Sequence, residues 1–440
     1  MAPRIRIITL GCKVNQCDGD EMGRSLAAAG FDLVPSGQAD LYIVNTCTVT
    51  ATADAKARKL IRKLAREHPG AKLVVTGCGA DRDAEAVGMP GLVVVPNARK
   101  ADIAELVARA TVGGHAGMAR SPEATATAAD GVAAYPPYST ARTRAFLKIQ
   151  DGCDHRCAYC AVPDARGRPV SKPLPEVLAE LRRLAEGGAQ EVVLCGIRLG
   201  AYGREGGGAP GLADLLRSAR GIAIPRLRLS SVEPMDLDGD LLAEMAGHPR
   251  LCHHLHLPLQ SGDDAVLAEM GRGYTTTDYA RLVDRIRGAW PEAAITTDVM
   301  AGFPGETEMQ FQSTVDFAQE IGFSRVHVFP YSPRPGAPAA QRRDQTPAAV
   351  KRQRAERLLM IGAQLAQRAA TSWVGREVRV LFEERDPGGA LTGLTDQYLR
   401  VRCHGPSAWL GRIVPAEAKT ALAGELMVVA NQHLSQGSRR

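Results

Sequence analysis

The most constraining feature of this chain is a rhythm: short apolar runs rich in Val and Ile alternate with helical stretches in two separate series, after which the helices drop out and only strands continue. In the first hundred residues IRIITL, LYIVNT, KLVVTG and LVVVP alternate with helical patterns near Asp18 to Ala29 and near Ala51 to Glu67, the signature of a parallel α/β sheet. The second series carries strand candidates FLKIQ, EVVLC, RLRLS, HLHLPL, ITTDVM and VHVFPY, and six β/α units predict an open or partial (β/α)6 barrel of TIM type. Beyond a helix near Thr346 to Ala370, the segments VRVLF, LTGLT, LRVRC, WLGRIV and ELMVVA predict a small β-barrel, a shape often used to hold nucleic acid.

Between the two series, from Gly113 to about Arg142, the sequence is rich in Ala, Gly, Thr, Ser and Pro without periodicity, which reads as an exposed linker. The expected division is therefore an N-terminal α/β domain over 1–112, a linker over 113–141, a β/α barrel over 142–372 and a C-terminal barrel over 373–435. At 440 residues the chain is too long for one typical core, so several domains are required. No apolar run reaches the length of a membrane span, and MAPRIRIITLGC turns straight into a strand, so a cytoplasmic protein without a membrane partner is expected.

The net charge of +6 is modest, but its distribution is uneven. Basic residues outnumber acidic ones between Arg325 and Arg376, and Arg342, Arg343, Lys351, Arg352, Arg354 and Arg357 fall close together. That density suits a polyanionic partner, although a solvated basic helix face gives the same pattern.

Ten cysteines in a chain of this kind point to metal or redox chemistry rather than to disulfides. Cys153, Cys157 and Cys160 form C-x3-C-x2-C directly after the first strand of the second series. Structural zinc takes four ligands, no suitably spaced fourth Cys or His follows, and His155 lies inside the loop. An iron-sulfur cubane held by three thiolates instead leaves one iron open to a cofactor. Cys12, Cys47 and Cys78 each follow a strand of the first series, and a parallel sheet lines up its carboxyl ends along one edge, so thiols distant in sequence can meet there. Three cysteines serving merely as small apolar residues would rarely share one station, which favours a second cluster. Cys17, Cys195, Cys252 and Cys403 read as spare thiols.

With Tyr159 before its last cysteine, the C-x3-C-x2-C motif resembles the signature of radical S-adenosylmethionine enzymes. The resemblance implies that the open iron binds the amino and carboxylate groups of S-adenosylmethionine and that reductive cleavage yields a 5'-deoxyadenosyl radical. It further implies cofactor contacts from Tyr159, Gly196 in LCGIRLGAYG, Glu233 in SSVEP, Gln260 and Ser261 in HLPLQSG, and Asp298 and Gly302 in DVMAGFPGE, where Gly305 and Glu306 follow. TLGCKVNQ, VNTCTVT and VTGCGA resemble the N-terminal domain of methylthiotransferases. With QSGDDAVL, GFPGET and a terminal barrel of the TRAM type, the likeness covers nearly the whole chain. GCKVNQ and VFPYSPRPG are most similar to the bacterial branch that acts on threonylcarbamoyladenosine in tRNA. The departures are Cys17, Cys195 and the stretch PDARGRPVSKP.

That family implies two [4Fe-4S] clusters and S-adenosylmethionine, one molecule supplying methyl and another the radical, with the second cluster carrying sulfur to carbon 2 of adenosine 37 in the anticodon loop. It also implies an electron donor such as flavodoxin or ferredoxin, a sulfur donor left open, and a monomer. Arg166, Arg342, Arg343 and Arg352 are the candidate RNA contacts, while Phe382, Tyr398 and Trp409 either stack on bases or pack in a core. Isopentenyladenosine tRNA or a ribosomal protein side chain are alternative substrates, and a non-catalytic RNA-binding protein stabilised by metal is the alternative class.

Overall fold

A β-strand can hide both faces only where helices cover both, and the first series meets that condition. The computed structural model describes residues 3–48, 50–80, 85, 87–112 and 143–430, so the expected linker over 113–141 and residues 431–435 of the last domain lie outside the described residues. The chain divides into two compact units, one of Met1–Ser139 with Cys160–Arg168, the other of Thr140–Tyr159 with Pro169–Arg440.

The first unit holds β1 (Arg4–Thr9), α1 (Lys13–Ala28), β2 (Asp32–Leu33), β3 (Leu41–Thr46), α2 (Ala51–Glu67), β4 (Lys72–Gly77), β5 (Val93–Val94), α3 (Ile103–Val112) and α4 (Val162–Arg166). Its strands form one parallel sheet in the order β2-β1-β3-β4-β5. Alternate side chains serve opposite faces: Ile5, Ile43 and Val74 pack with Met22, Leu26, Ile103 and Val107, while Tyr42, Val44 and Val75 pack with Ile61 and Leu64. Helix α2 occupies the expected residues and is capped by Thr50, whose hydroxyl accepts from Ala53 N at 3.1 Å. Helix α1 starts at Lys13, five residues before the expected Asp18. Its first turns carry buried Asn15, Cys17 and Asp18, and the polar Asn15 and Asp18 mask the apolar period there.

The second unit places six parallel strands in chain order, β6 (Arg144–Lys148), β9 (Glu191–Cys195), β10 (Arg226–Leu229), β11 (His254–His256), β12 (Ala294–Ala301) and β13 (Arg325–Pro330). Bridges Leu227 to Leu251 and Ser231 to His256 connect the two three-stranded halves. A small antiparallel pair, β7 (Gln150–Asp151) and β8 (Val170–Ser171), follows β6. The outer helices are α5 (Leu174–Glu186), α6 (Leu212–Ala219), α7 (Gly239–Ala246), α8 (Asp264–Glu269), α9 (Thr276–Ala289) and α10 (Glu308–Ile321). The expected partial (β/α)6 barrel is present, and among the described residues no ladder joins β13 back to β6.

Five further strands, β14 (Glu377–Arg385), β15 (Leu391–Thr395), β16 (Arg400–Cys403), β17 (Ile413–Leu422) and β18 (Glu425–Ala430), close a barrel in the order β14-β15-β16-β18-β17. The segment WLGRIV becomes strand only from Ile413, since Trp409 ends a short 3-10 turn. Phe382 is core, Trp409 lies parallel to it with ring centroids 6.0 Å apart, and Tyr398 stacks on His254 at 4.6 Å. All three rings are thus engaged within the protein.

The small barrel belongs to the same unit as the β/α barrel. The 24-residue helix α11 (Ala348–Thr371) packs on β12, β13, β17 and β18. Contacts between the two barrels concentrate where β/α strands begin. Arg144, the first residue of β6, pairs with Glu383 at 2.7 Å. Arg226, first in β10, pairs with Asp396 at 2.5 Å and donates to Leu394 O at 3.2 Å. Arg228 donates to the Thr395 and Asp396 carbonyls at 3.1 Å and pairs with Glu191, first in β9, at 2.7 Å. Glu191, Arg226 and Arg228 are buried. Burial works to raise the Glu191 pKa, but the Arg228 and Arg226 guanidiniums override it and hold the carboxyl at about 2.

Candidate functional site

Every candidate metal ligand follows a strand, and three of them follow glycines whose backbone is left-handed. Gly11, Gly77 and Gly152 have φ of +95°, +95° and +72°, and they precede Cys12, Cys78 and Cys153. A residue with a Cβ rarely adopts such φ, so glycine lets the chain leave the strand and turn at once. Turns of this kind also aim successive backbone N–H groups into a concavity suited to anions and iron-sulfur clusters.

In the first unit the neighbouring strands β1, β3 and β4 end at one edge, with Thr9 opposite Asn45, Asn45 opposite Thr76 and Thr46 opposite Gly77. Cys12, Cys47 and Cys78 emerge from that edge. The approach is close: a Cβ placed on Gly11 would sit 2.2 Å from Cys47 Cβ and 2.4 Å from its Sγ. Burial pushes the Cys78 thiol up to about 11 against the lowering pull of Arg166, and the charges of Cys12 and Cys47 add to the rise. The three thiols therefore sense one another. Among the described residues, no group of three His, Cys, Asp or Glu is arranged to hold one metal ion. Three thiolates suit an iron-sulfur cluster with one open iron, whereas structural zinc takes four ligands.

The loops are tied by Asn15, fully buried on α1. Its Nδ2 donates to the carbonyls of Leu10, Asn45 and Thr46 at 2.6, 3.3 and 3.1 Å, and its own carbonyl accepts from Asn45 Nδ2 at 2.8 Å. Arg166, expected as an RNA contact, is not at a surface. Its side chain is 1% exposed, its Nε lies 3.0 Å from Cys78 Sγ, and its Nη2 reaches Asp18 Oδ2 at 3.0 Å and Asn15 Oδ1 at 3.4 Å. A guanidinium withdrawn from water needs charged partners, and those partners decide its place.

In the second unit, Cys153 and Cys157 occupy the loop after β7. Gln150 organises its start, donating to the Asp151 and Gly152 carbonyls at 2.8 and 2.9 Å and accepting from Arg198 N at 2.8 Å. Arg198 in turn holds Asp154 at 2.8 Å and Asp236 at 2.7 Å. The Cys153 sulfur accepts from His155 N at 3.4 Å, and burial raises the Cys153 thiol. Cys160 groups with the first unit, where its sulfur accepts from Val162 N at 3.4 Å. Two residues separate it from Cys157, so three Cα–Cα links limit their Cα atoms to within about 11 Å.

Sequence reasoning missed Arg272. Buried in the loop after α8, it reaches Cys157 Sγ at 3.5 Å, Tyr159 Oη at 3.4 Å and Tyr274 Oη at 3.2 Å, and it pairs with Glu233. Burial opposes its charge, but Tyr159 and Glu233 hold it protonated. MGRGYT carries no metal motif, which is why nothing flagged it.

The expected cofactor residues gather at or past the carboxyl ends of the barrel strands. Gly196 follows β9 against Leu199 and Gln150, Glu233 lies beyond β10, and Tyr159 packs beside Met270, Met300 and Phe303. Gln260 has a left-handed φ of 70°, with its backbone bridged to β12 through Asp298 O and Met300 N. Asp298 faces His256 at 3.2 Å. Gly302, at φ +77°, donates its N–H to Glu306 at 2.9 Å, and a Cβ there would meet Lys351. Burial raises Glu306 to about 7 against the pull of Arg354. Ser261 departs from expectation: its hydroxyl is wholly buried against Thr314 on α10 at 3.2 Å, so the side chain serves the scaffold.

The other RNA candidates separate by charge. Arg342 pairs with Glu269 and Asp344, both at 2.5 Å, and is already neutralised, while Arg343 and Arg352 are exposed. Cys17, Cys195, Cys252 and Cys403 are all buried, and Cys252 is pushed up to about 12 by burial. Among the described residues, no helix is long and apolar enough to cross a membrane.

Comparison with known proteins gives a consistent picture. Two family models match, the Radical SAM superfamily over residues 147–318 and the Uncharacterized protein family UPF0004 over residues 4–93. The threonylcarbamoyladenosine tRNA methylthiotransferase MtaB of Thermotoga maritima is 36% identical over 90% of this chain and 90% of its own length. Its counterpart in Bacillus subtilis is 35% identical over 92% of this chain and 91% of that protein. The tRNA-2-methylthio-N(6)-dimethylallyladenosine synthase of a Jannaschia species is 36% identical over 97% and 95%. Among solved structures, the radical S-adenosylmethionine methyltransferase TsrM of Kitasatospora setae matches with a TM-score of 0.56 at 18% identity, over 77% of this chain and 74% of that one, a likeness of fold alone.

Proposed function

The chain belongs to the tRNA methylthiotransferases of the radical S-adenosylmethionine superfamily, and we propose that within them it converts threonylcarbamoyladenosine at tRNA position 37 to its 2-methylthio derivative. It is an enzyme, its substrate class is tRNA, and its cofactors are S-adenosylmethionine and two [4Fe-4S] clusters. The observation that carries the assignment of residues is the presence of two separate three-cysteine sets, one where the parallel strands β1, β3 and β4 end and one in the single stretch that follows β6 and β7. Cys153, Cys157 and Cys160 hold the cluster that meets S-adenosylmethionine, and Cys12, Cys47 and Cys78 hold the second. When bound, these groups supply radical chemistry and sulfur, which no side-chain acid or base can provide at a ring carbon. The chain's own residues shape and charge the pockets. Gly196 and Gly302 let Gln150 and Lys351 close in on the backbone at the strand ends, Glu233 and Asp298 offer carboxylates, and Arg272 fixes Glu233 and the ring of Tyr159 beside Cys157.

Arg343 and Arg352, with the C-terminal barrel, bind the anticodon arm through phosphates. An electron donor of the flavodoxin or ferredoxin type, a monomeric state and a cytoplasmic location complete the reading. The choice of base rests on GCKVNQ and VFPYSPRPG. The equal identity of a dimethylallyladenosine-type relative makes that base the competing substrate. Mass spectrometry of tRNA nucleosides from a deletion strain decides between them. The methylthio form of threonylcarbamoyladenosine should vanish while its precursor accumulates, whereas loss of methylthio-isopentenyladenosine would replace this substrate by the other.

A further inference from the structure

We infer that Arg166 is a positioning residue of the N-terminal cysteine site, gripping the Cys78 sulfur so as to raise the reduction potential of the cluster bound there. The inference rests on the reading that Cys12, Cys47 and Cys78 hold that cluster.

The geometry gives Arg166 three tasks at once. Its Nε–H points at Cys78 Sγ from 3.0 Å, and its Nη2 is shared between Asp18 at 3.0 Å and Asn15 at 3.4 Å. Through Asn15 it is linked to the loops that carry the other two ligands, because Asn15 holds the carbonyls of Leu10, Asn45 and Thr46, beside Cys12 and Cys47. Helix α4, which ends at Arg166, is itself pinned, with Asn97 Nδ2 donating to Ala165 O at 3.0 Å.

Two cations meet at one buried carboxylate beside this site. Fully buried Asp18 faces two cations, Arg166 and Lys100, the latter at 2.7 Å. Arg166 thereby brings a guanidinium against Cys78, where a cluster held by three thiolates would carry negative charge. A purely structural Arg–Asp pair would not need an N–H aimed at sulfur. Hydrogen bonds to ligand sulfurs and nearby positive charge both favour the reduced form of an iron-sulfur cluster. The guanidinium fork can serve sulfur and carboxylate together, which an ammonium cannot do with the same geometry.

Arg166 also lies six residues after Cys160, within Cys160–Arg168, the segment that groups with the N-terminal unit. A proposed ligand of one cluster and a sulfur contact of the other are thus joined by a single short helix.

The test uses the full-length chain with Cys153, Cys157 and Cys160 replaced by Ala, reconstituted anaerobically so that only the N-terminal cluster remains. Arg166→Gln and Arg166→Lys are added separately, and each protein is titrated reductively by electron paramagnetic resonance. In the Gln variant, the ratio of reduced to oxidised cluster at fixed ambient potential should fall at least tenfold, a shift of about 59 mV for one electron. The Lys variant, which keeps the charge and loses the fork, should fall between. If the Gln protein loses iron while its circular dichroism is unchanged, the grip on Cys78 is supported by that loss. If it unfolds, the Lys variant decides. A potential equal to the parent's with iron retained overturns the proposal. Failure of the parent itself to hold about four irons would instead overturn the cluster reading.

Discussion

Replacing Glu191 by Gln removes the one carboxylate on which two buried guanidiniums converge beneath the small barrel, and its effect can be worked from the structure. Arg228 lies 2.7 Å from Glu191 and Arg226 lies 3.6 Å away, with all three side chains at most 1% exposed. The carboxyl is held at about 2 rather than its ordinary 4.5, which favours the folded state by about 3 kcal/mol at neutral pH. Breaking a buried pair by removing one partner costs about 3–5 kcal/mol on general grounds, so the two figures agree. The expected loss is therefore about 3 kcal/mol. Because the folded value is depressed, this stability is fully present above the unfolded value and fades only as pH falls from about 4.5 towards 2. Wild type and variant should differ by a constant amount from pH 8 to pH 5. Urea unfolding followed by tryptophan fluorescence suits the measurement, since Trp290, Trp373 and Trp409 are the chain's three tryptophans and all lie in this unit. A difference below about 0.5 kcal/mol, the range of ordinary surface changes, would refute the reasoning, as would one that varies between pH 8 and pH 5.

Further outcomes follow from the two cysteine sites and the basic surface. Gly11→Ala forces a Cβ onto Cys47 at a φ of +95°, so iron after reconstitution should drop from about eight to about four per chain while 5'-deoxyadenosine formation continues; iron near eight would contradict the close approach. Changing Cys12, Cys47 and Cys78 together to Ala should leave S-adenosylmethionine cleavage and abolish methylthiolated tRNA, whereas changing Cys153, Cys157 and Cys160 should abolish both, as read by chromatography of the two products. Arg343→Ala with Arg352→Ala should weaken tRNA binding and lower the slope of log affinity against log salt by about 1–2, while Arg342→Ala, its charge already met by Glu269 and Asp344, should leave the slope nearly unchanged.

The sequence made the three-part architecture and the strand-end cysteines legible because both depend on local periodicity. Alternating apolar runs are buried between helices or within a barrel, and a cysteine directly after such a run inherits its station at the strand end. What stayed hidden depends on partners distant in the chain. Arg166 sits in a loop stretch with no period, and only its meeting with Asp18, 148 residues away, reveals that it is buried. Arg272 reaches Cys157 across 115 residues from a segment resembling any turn. Charged residues at the strand starts, Glu191, Arg226 and Arg228, interrupt the apolar pattern and read as solvated edges until the small barrel covers them. The same covering alters how RNA binding can be tested. Deleting the residues beyond Trp373 would expose that ion network, so truncation would confound binding with stability, and point changes at exposed arginines are the cleaner probe.

Strand direction gives the second unit two functional ends. The proposed cofactor residues lie towards or beyond the ends of β9 to β12, while the small barrel rests on Arg144, Glu191, Arg226, Arg228 and His254, at or near the beginnings of β6, β9, β10 and β11. At about 3.3 Å per residue, the five steps from Glu191 at the start of β9 to Gly196 beyond its end place roughly 17 Å between those ends. An RNA touching both cannot do so with one nucleotide. The barrel, if it holds RNA as proposed, must grip a part of the tRNA other than the base that reacts. Phosphate contacts, which carry no sequence, would then come both from the barrel and from Arg343 and Arg352 beside the strand ends, and the strand ends would set which base is modified.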